Sequence, residues 1–144
     1  MPSTTIAIAD ALTALLNNAN LSQAFTAVRS YTPDFALPEM TTLRVTVVPS
    51  EREQRPAART RQEYDHTFLV GIQQKIDPDE DRDGQIDALM TLEEEIAELL
   101  RLFALEGTPA QWVKTEAKPI FDTNQLHTLS LFTGVLAVTY RTWS

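Results

Sequence analysis

The sequence has no cysteine, and only four of its 144 residues are glycine. Without cysteine there is no disulfide and no thiolate metal site, and a reducing compartment is the natural expectation. So few glycines leave little material for a phosphate-cradling loop, and no GxSxG, HExxH, P-loop or GxGxxG pattern occurs. No apolar run approaches the ~20 residues of a membrane-spanning helix. The first residues lack the basic-then-apolar pattern of a secretion signal. The chain is therefore expected in the cytoplasm where it is made. Positive charge is scarce as well. Twelve Lys and Arg against twenty Asp and Glu give a net charge of −8, which argues against a general nucleic-acid binder. Repeats and low-complexity tracts are also missing.

What remains, 43% hydrophobic and 22% charged residues, fits one globular domain spanning 1–144. The chain is organised around the stretch from Asp83 to Phe103. At 100° per residue, Ile86, Leu89, Met90, Leu92, Ile96, Leu99, Leu100 and Phe103 share one arc. Asp87, Thr91, Glu94, Glu95, Glu98 and Arg101 share the other. Asp83 is the expected cap, and Gly107-Thr108-Pro109 the expected stop. Roughly eighteen helical residues make a rod of about 27 Å. Its apolar side chains contribute about 1.5–3 kcal/mol each as an upper bound. Glu93 alone breaks the pattern by projecting into the apolar arc. It reads either as a rim glutamate reaching water or an arginine, or as a carboxylate that meets a neighbouring subunit.

Before this helix, Ser3 or Thr4 caps a first one over residues 4–17, with Ile6, Ala9, Leu12, Leu15 and Leu16 as its stripe. Asn17-Asn18-Ala19-Asn20 closes it. A strand is expected at 23–30 with Phe25 and Val28, followed by a connection framed by Pro33 and Pro38 and anchored by Phe35 and Leu37. Leu43–Val48 is a second strand, with Leu43, Val45 and Val47 on one face, and Pro49 is expected to stop it. From Ser50 to Glu63 there is no large apolar residue, so 50–63 is an exposed polar loop or hairpin arm. Tyr64, His66, Phe68, Val70 and Ile72 then alternate with Asp65, Thr67, Leu69, Gly71 and Gln73 as a half-buried strand.

Beyond the long helix, residues 111–122 read as a fourth strand in which Pro119 marks an edge or bulge. Thr123 caps a short turn. Leu129–Thr142 is so continuously apolar in its middle that it suits a central strand covered on both faces. The resulting class is α+β. Two helices pack on a mainly antiparallel sheet of about four to five strands, with the polar arm extending from it.

Three constellations bear on function. Asp79 to Asp87 matches the first nine positions of a calcium-binding EF-hand loop, with oxygens from Asp79, Asp81, Asp83 and Asp87 around Gly84. Its twelfth position, which should supply a bidentate Glu, is Met90, and a strand precedes it. An acidic turn capping the long helix is the competing reading. Arg52, Arg55, Arg59 and Arg61 gather in the arm. Arginine forks suit carboxylate and phosphate alike, so this segment is a solvated loop, a dock for an acidic surface of a neighbouring subunit, or a contact to DNA phosphates. Glu51, Glu53 and Glu63 dilute its charge, and no aromatic is interleaved for stacking. His66 and His127 have no spaced ligand or catalytic partner and read as structural, while Trp112 and Trp143 read as core or interface anchors rather than ligand platforms. No metal or cofactor is required, and spacing alone supports no enzyme.

The order of segments resembles small tail and neck proteins of long-tailed bacteriophages, in particular tail terminators. The likeness is carried by the first helix running into LSQAFTAVRSYTPDF, the strand-stop LRVTVVP, and the arm ending in YDHTFLVGIQQKI. The D-x-x-G-x-I-D-x-L helix start and the closing pair PIFD and LFTGVLAVTYRTW complete it. The resemblance implies a structural virion protein. Such a protein forms a homo-oligomeric ring, a hexamer, on the head-proximal end of the tail tube. There it stops polymerisation and offers a surface for head attachment. Its implied partners are its own copies, the tail tube protein and the head–tail connector or neck protein. Genomic DNA passes through the lumen without sequence-specific contact. A neck protein of the same virion is the close alternative, and a calcium-modulated binding module the distant one. Charge and exposure select Arg52, Arg55, Arg59 and Arg61 as subunit contacts, and its place in the apolar arc selects Glu93. In the lumen that the resemblance implies, acids such as Glu94, Glu95 and Glu98 would let DNA slide without sticking.

Overall fold

The computed structural model describes residues 3–31, 43–77, 79–117 and 120–144. In chain order its elements are α1 (Thr4–Asn18), β1 (Thr26–Arg29), β2 (Arg44–Ala58) and β3 (Arg61–Lys75). They continue as α2 (Arg82–Leu102), β4 (Gln111–Ala117), α3 (Thr123–Leu129) and β5 (Leu131–Trp143). The strands form one sheet in the order β1-β2-β3-β5-β4. β1 runs parallel to β2, and the other neighbours are antiparallel. The fold is α+β as expected, with a short third helix added.

Ser3 caps α1 by accepting from the Ile6 N–H at 3.4 Å. Ile8, Ala9, Leu12 and Leu16 are its buried residues, so Ile8 rather than Ile6 lies deepest. The asparagine turn does more than close the helix. Asn17 accepts from the Ala27 N–H at 2.7 Å and donates to the Ala27 carbonyl at 3.0 Å, pairing with β1 as a strand would. β1 is shorter than the expected 23–30, and Val28 is 54% exposed. Pro33, Phe35, Leu37, Pro38 and Pro119 lie outside the described residues.

α2 is capped two residues earlier than its periodicity indicates. Asp81 adopts a left-handed φ of 37°, and its carboxylate accepts from the Gly84 N–H at 3.3 Å. Asp tolerates that conformation better than most residues. The helix ends with Leu102, well before Gly107. Phe103 turns extended (φ −112°, ψ 129°), which carries its ring out to 56% exposure instead of into the apolar arc. Leu105 takes the buried place. In the next turn Asp122, not Thr123, accepts from the Asn124 N–H at 2.9 Å.

Pro49 does not stop β2. The strand continues to Ala58, with register shifts between Pro49 and Glu51 and between Pro56 and Ala58. A bulge accommodates a residue that cannot donate to the ladder. β3 is the middle strand, and β5 is an interior strand as expected. β5 is buried over most of its length, flanked by β3 and β4. Val45, Val47, Phe68, Val70, Ile72, Leu136, Val138 and Tyr140 line the sheet face beneath α1 and α2, joined there by Leu12, Leu89, Leu92, Ile96 and Leu100.

Candidate functional site

The polar stretch 50–63 is a hairpin whose turn is Arg59-Thr60. Beyond the helical cover its β2 strand is exposed at nearly every residue, whereas Gln62, Glu63, Tyr64 and Asp65 on β3 are half-buried. β5 runs alongside to the same level, and Gln62 and Ser144 exchange backbone hydrogen bonds of 2.8 and 3.0 Å. The arm is thus a three-stranded blade. β1 pairs with β2 only from Arg44 to Val47. Among the described residues no strand covers the outer edge of β2 beyond that point.

The four arm arginines do not act as a group. Arg55 is surrounded by acid, with Asp65 at 2.9 Å, Glu53 at 3.2 Å and Glu63 also bonded. Arg141 makes a two-point contact with the same Asp65, at 2.8 and 3.2 Å. Hydrogen bonding from Arg141, with the charges of both arginines, holds the Asp65 carboxyl below its usual range. This cluster braces the root of the blade and removes Arg55 from the set of free cations. Arg61 lies over the Trp143 ring at 5.9 Å, a favourable cation–π arrangement. Arg52 shares a cavity with Thr4, Tyr64, His66 and Trp143. Arg59 sits exposed at the turn and has no partner among the described residues.

Glu93 departs furthest from expectation. It is no rim residue, being only 3% exposed, and its Oε2 has no hydrogen-bond partner among the described residues. Burial, and secondarily the charge of Glu94, push its carboxyl up to about 7. Room for it comes from Gly134 on β5. A Cβ at that glycine would stand 2.4 Å from Glu93 Oε2 and 2.6 Å from the Ile120 carbonyl oxygen. Glu93 lines a groove of about 220 Å³ between α2 and β4, whose walls are Met90, Ala97, Ala117, Ile120 and Leu136, with Glu94 and Thr115. Of the acids expected to line a lumen, Glu95 accepts from the Ser22 N–H at 3.2 Å, and Glu98 pairs with Arg101.

The acidic loop spends its ligands locally. Asp81 caps α2, and Gln85 binds the loop backbone by donating to the Asp77 carbonyl at 2.9 Å. Asp79, Asp81, Asp83 and Asp87 are not gathered, and no cluster of three potential ligands occurs among the described residues. His66 is buried between two hydroxyls, Thr5 Oγ1 at 2.9 Å from Nδ1 and Thr142 Oγ1 at 3.0 Å from Nε2. Burial, then the charge of Arg52, lower its pKa below the ordinary 6.5. Trp112 donates from Nε1 to Thr115 Oγ1 at 2.9 Å. No helix of the described residues is long and apolar enough to cross a membrane. No known family's sequence model matches the chain, and no curated protein sequence matches it.

Proposed function

We propose that the chain is a structural protein of a long-tailed bacteriophage, a tail terminator whose copies close into a ring on the head-proximal end of the tail tube. One observation carries the reading: the blade, which extends the sheet beyond its helices and leaves the β2 edge without a described neighbour. An unpaired edge invites strand pairing unless charge or proline blunts it. Here Arg52, Glu53, Arg55 and Pro56 restrict it to a complementary surface. A contact between two different surfaces of identical subunits generates a ring when its rotation closes. The order of segments resembling tail terminators supports the same role. The net charge of −8 suits a channel through which DNA passes without sequence-specific contact.

Antibody against the chain, marked with gold and applied to intact virions, tests the location. Label at the head–tail joint is expected. Label along the tail or at its distal tip overturns the reading.

A further inference from the structure

We infer that the groove between α2 and β4 receives the hairpin turn of a second copy of this chain, with Arg59 reaching Glu93. The inference rests on the ring reading above and names its contact. A carboxylate that is 3% exposed and has an orphaned oxygen needs a donor. The groove's walls are apolar, with a carboxylate at the base and Glu94 at the side. That combination fits arginine, whose methylene stem packs on apolar surface while its guanidinium engages the acid. Within the chain, Arg55 is held by acids and Arg61 lies over Trp143, while Arg52 stands opposite His66 on the body of the hairpin, away from its turn. Of Arg52 and Arg59, neither bonded to a partner among the described residues, Arg59 is the one at the turn, and a turn is the part of a blade best shaped to enter a groove.

The contact cannot form within one subunit. Leu136 in the groove pairs with Val70, and Arg59 lies about eleven residues along the hairpin from there. At about 3.3 Å per residue, that separation is roughly 35 Å. Tip and groove are therefore two different surfaces, and joining them copy to copy is a heterologous contact.

The absence of native cysteine allows a direct test. Thr60→Cys on the turn and Ala117→Cys on the groove wall, both at exposed positions, leave Arg59, Glu93 and Glu94 in place; they are combined in the full chain and oxidised in assembled particles. A ladder of cross-linked species ending at a closed ring is expected. Thr60→Cys with Asp87→Cys, outside the groove, should give none. Oligomers of the double variant, seen by sedimentation, that do not cross-link would overturn this contact and leave the ring reading intact. A chain that is monomeric both in solution and in particles would overturn both.

Discussion

Glu93 on α2 and Gly134 on β5 occupy one space: a Cβ on the glycine would stand 2.4 Å from the glutamate's Oε2. The glycine's missing side chain is what lets a carboxyl sit inside the helix–sheet interface. Gly134→Ala should therefore destabilise the chain by about 1–3 kcal/mol, the range for overpacking a close-packed interior. The Ile120 carbonyl, at 2.6 Å from the same point, limits relief. Adding Glu93→Ala should recover part of the loss. Chemical denaturation of the four members of this cycle checks it, and strictly additive effects would count against the shared space.

The same carboxyl makes stability depend on pH. Its folded value of about 7 lies above the ordinary 4.5, so its neutral form is favoured in the folded state. The stability it contributes is complete below the ordinary value and is lost as pH rises through about 7, by about 3 kcal/mol at most. Glu93→Gln removes that loss. His66 has the opposite sign. Its folded pKa lies below 6.5, so its contribution is complete above 6.5 and is lost as pH falls through the folded value. Because His66 is common to both chains, the variant-minus-wild-type difference isolates Glu93. Melting temperatures from about pH 5 to about pH 8 should show the variant gaining on the wild type up to about pH 7 and levelling off above it. A constant difference would contradict the assignment.

How much of this was legible in the sequence varies by element. The buried arc of α2 was readable because an apolar period of 3.6 is a property of the sequence alone, and the alternation from His66 to Ile72 was readable for the same reason. The outer half of β2 was not. Residues 50–58 are exposed apart from half-buried Arg55, so no apolar alternation marks them as strand, and Pro49 looked like a stop. The burial of Glu93 was hidden because a lone glutamate in an apolar arc looks like one that reaches solvent. Its signal lay elsewhere, in Gly134 interrupting the otherwise bulky run of β5, where a strand glycine marks the close approach of another group. The fate of Arg55 was likewise set by Glu63 and Asp65 across the hairpin, partners that only the register supplies.

Asp65 joins Arg55 of β2 to Arg141 of β5 across β3. Asp65→Ala should loosen the blade and leave the helix-covered sheet intact. Amide exchange over residues 52–58 should quicken by about tenfold, while exchange at Val70 and Ile72 stays slow. The Asp65 carboxyl lies below its ordinary 3.8 when folded. Its contribution is therefore present above 3.8 and lost as pH falls through the lower folded value. Uniform acceleration across all strands would mean that Asp65 supports the whole fold rather than the blade.

Asp81 serves α2 as a cap. Asp81→Ala should cost about 1 kcal/mol, the usual value for a lost cap, and calorimetry with calcium or with a chelator should give the same melting temperature. A rise in melting temperature with calcium would restore the calcium-binding reading of Asp79, Asp81, Asp83 and Asp87.

The most direct test of the central claim is the length distribution of tails, seen by electron microscopy, in lysates of a phage lacking this gene. Overlong tails of uncontrolled length beside unattached heads are the expected result. Tails of normal length beside unattached heads would move the chain to the neck, and intact virions would contradict the account altogether.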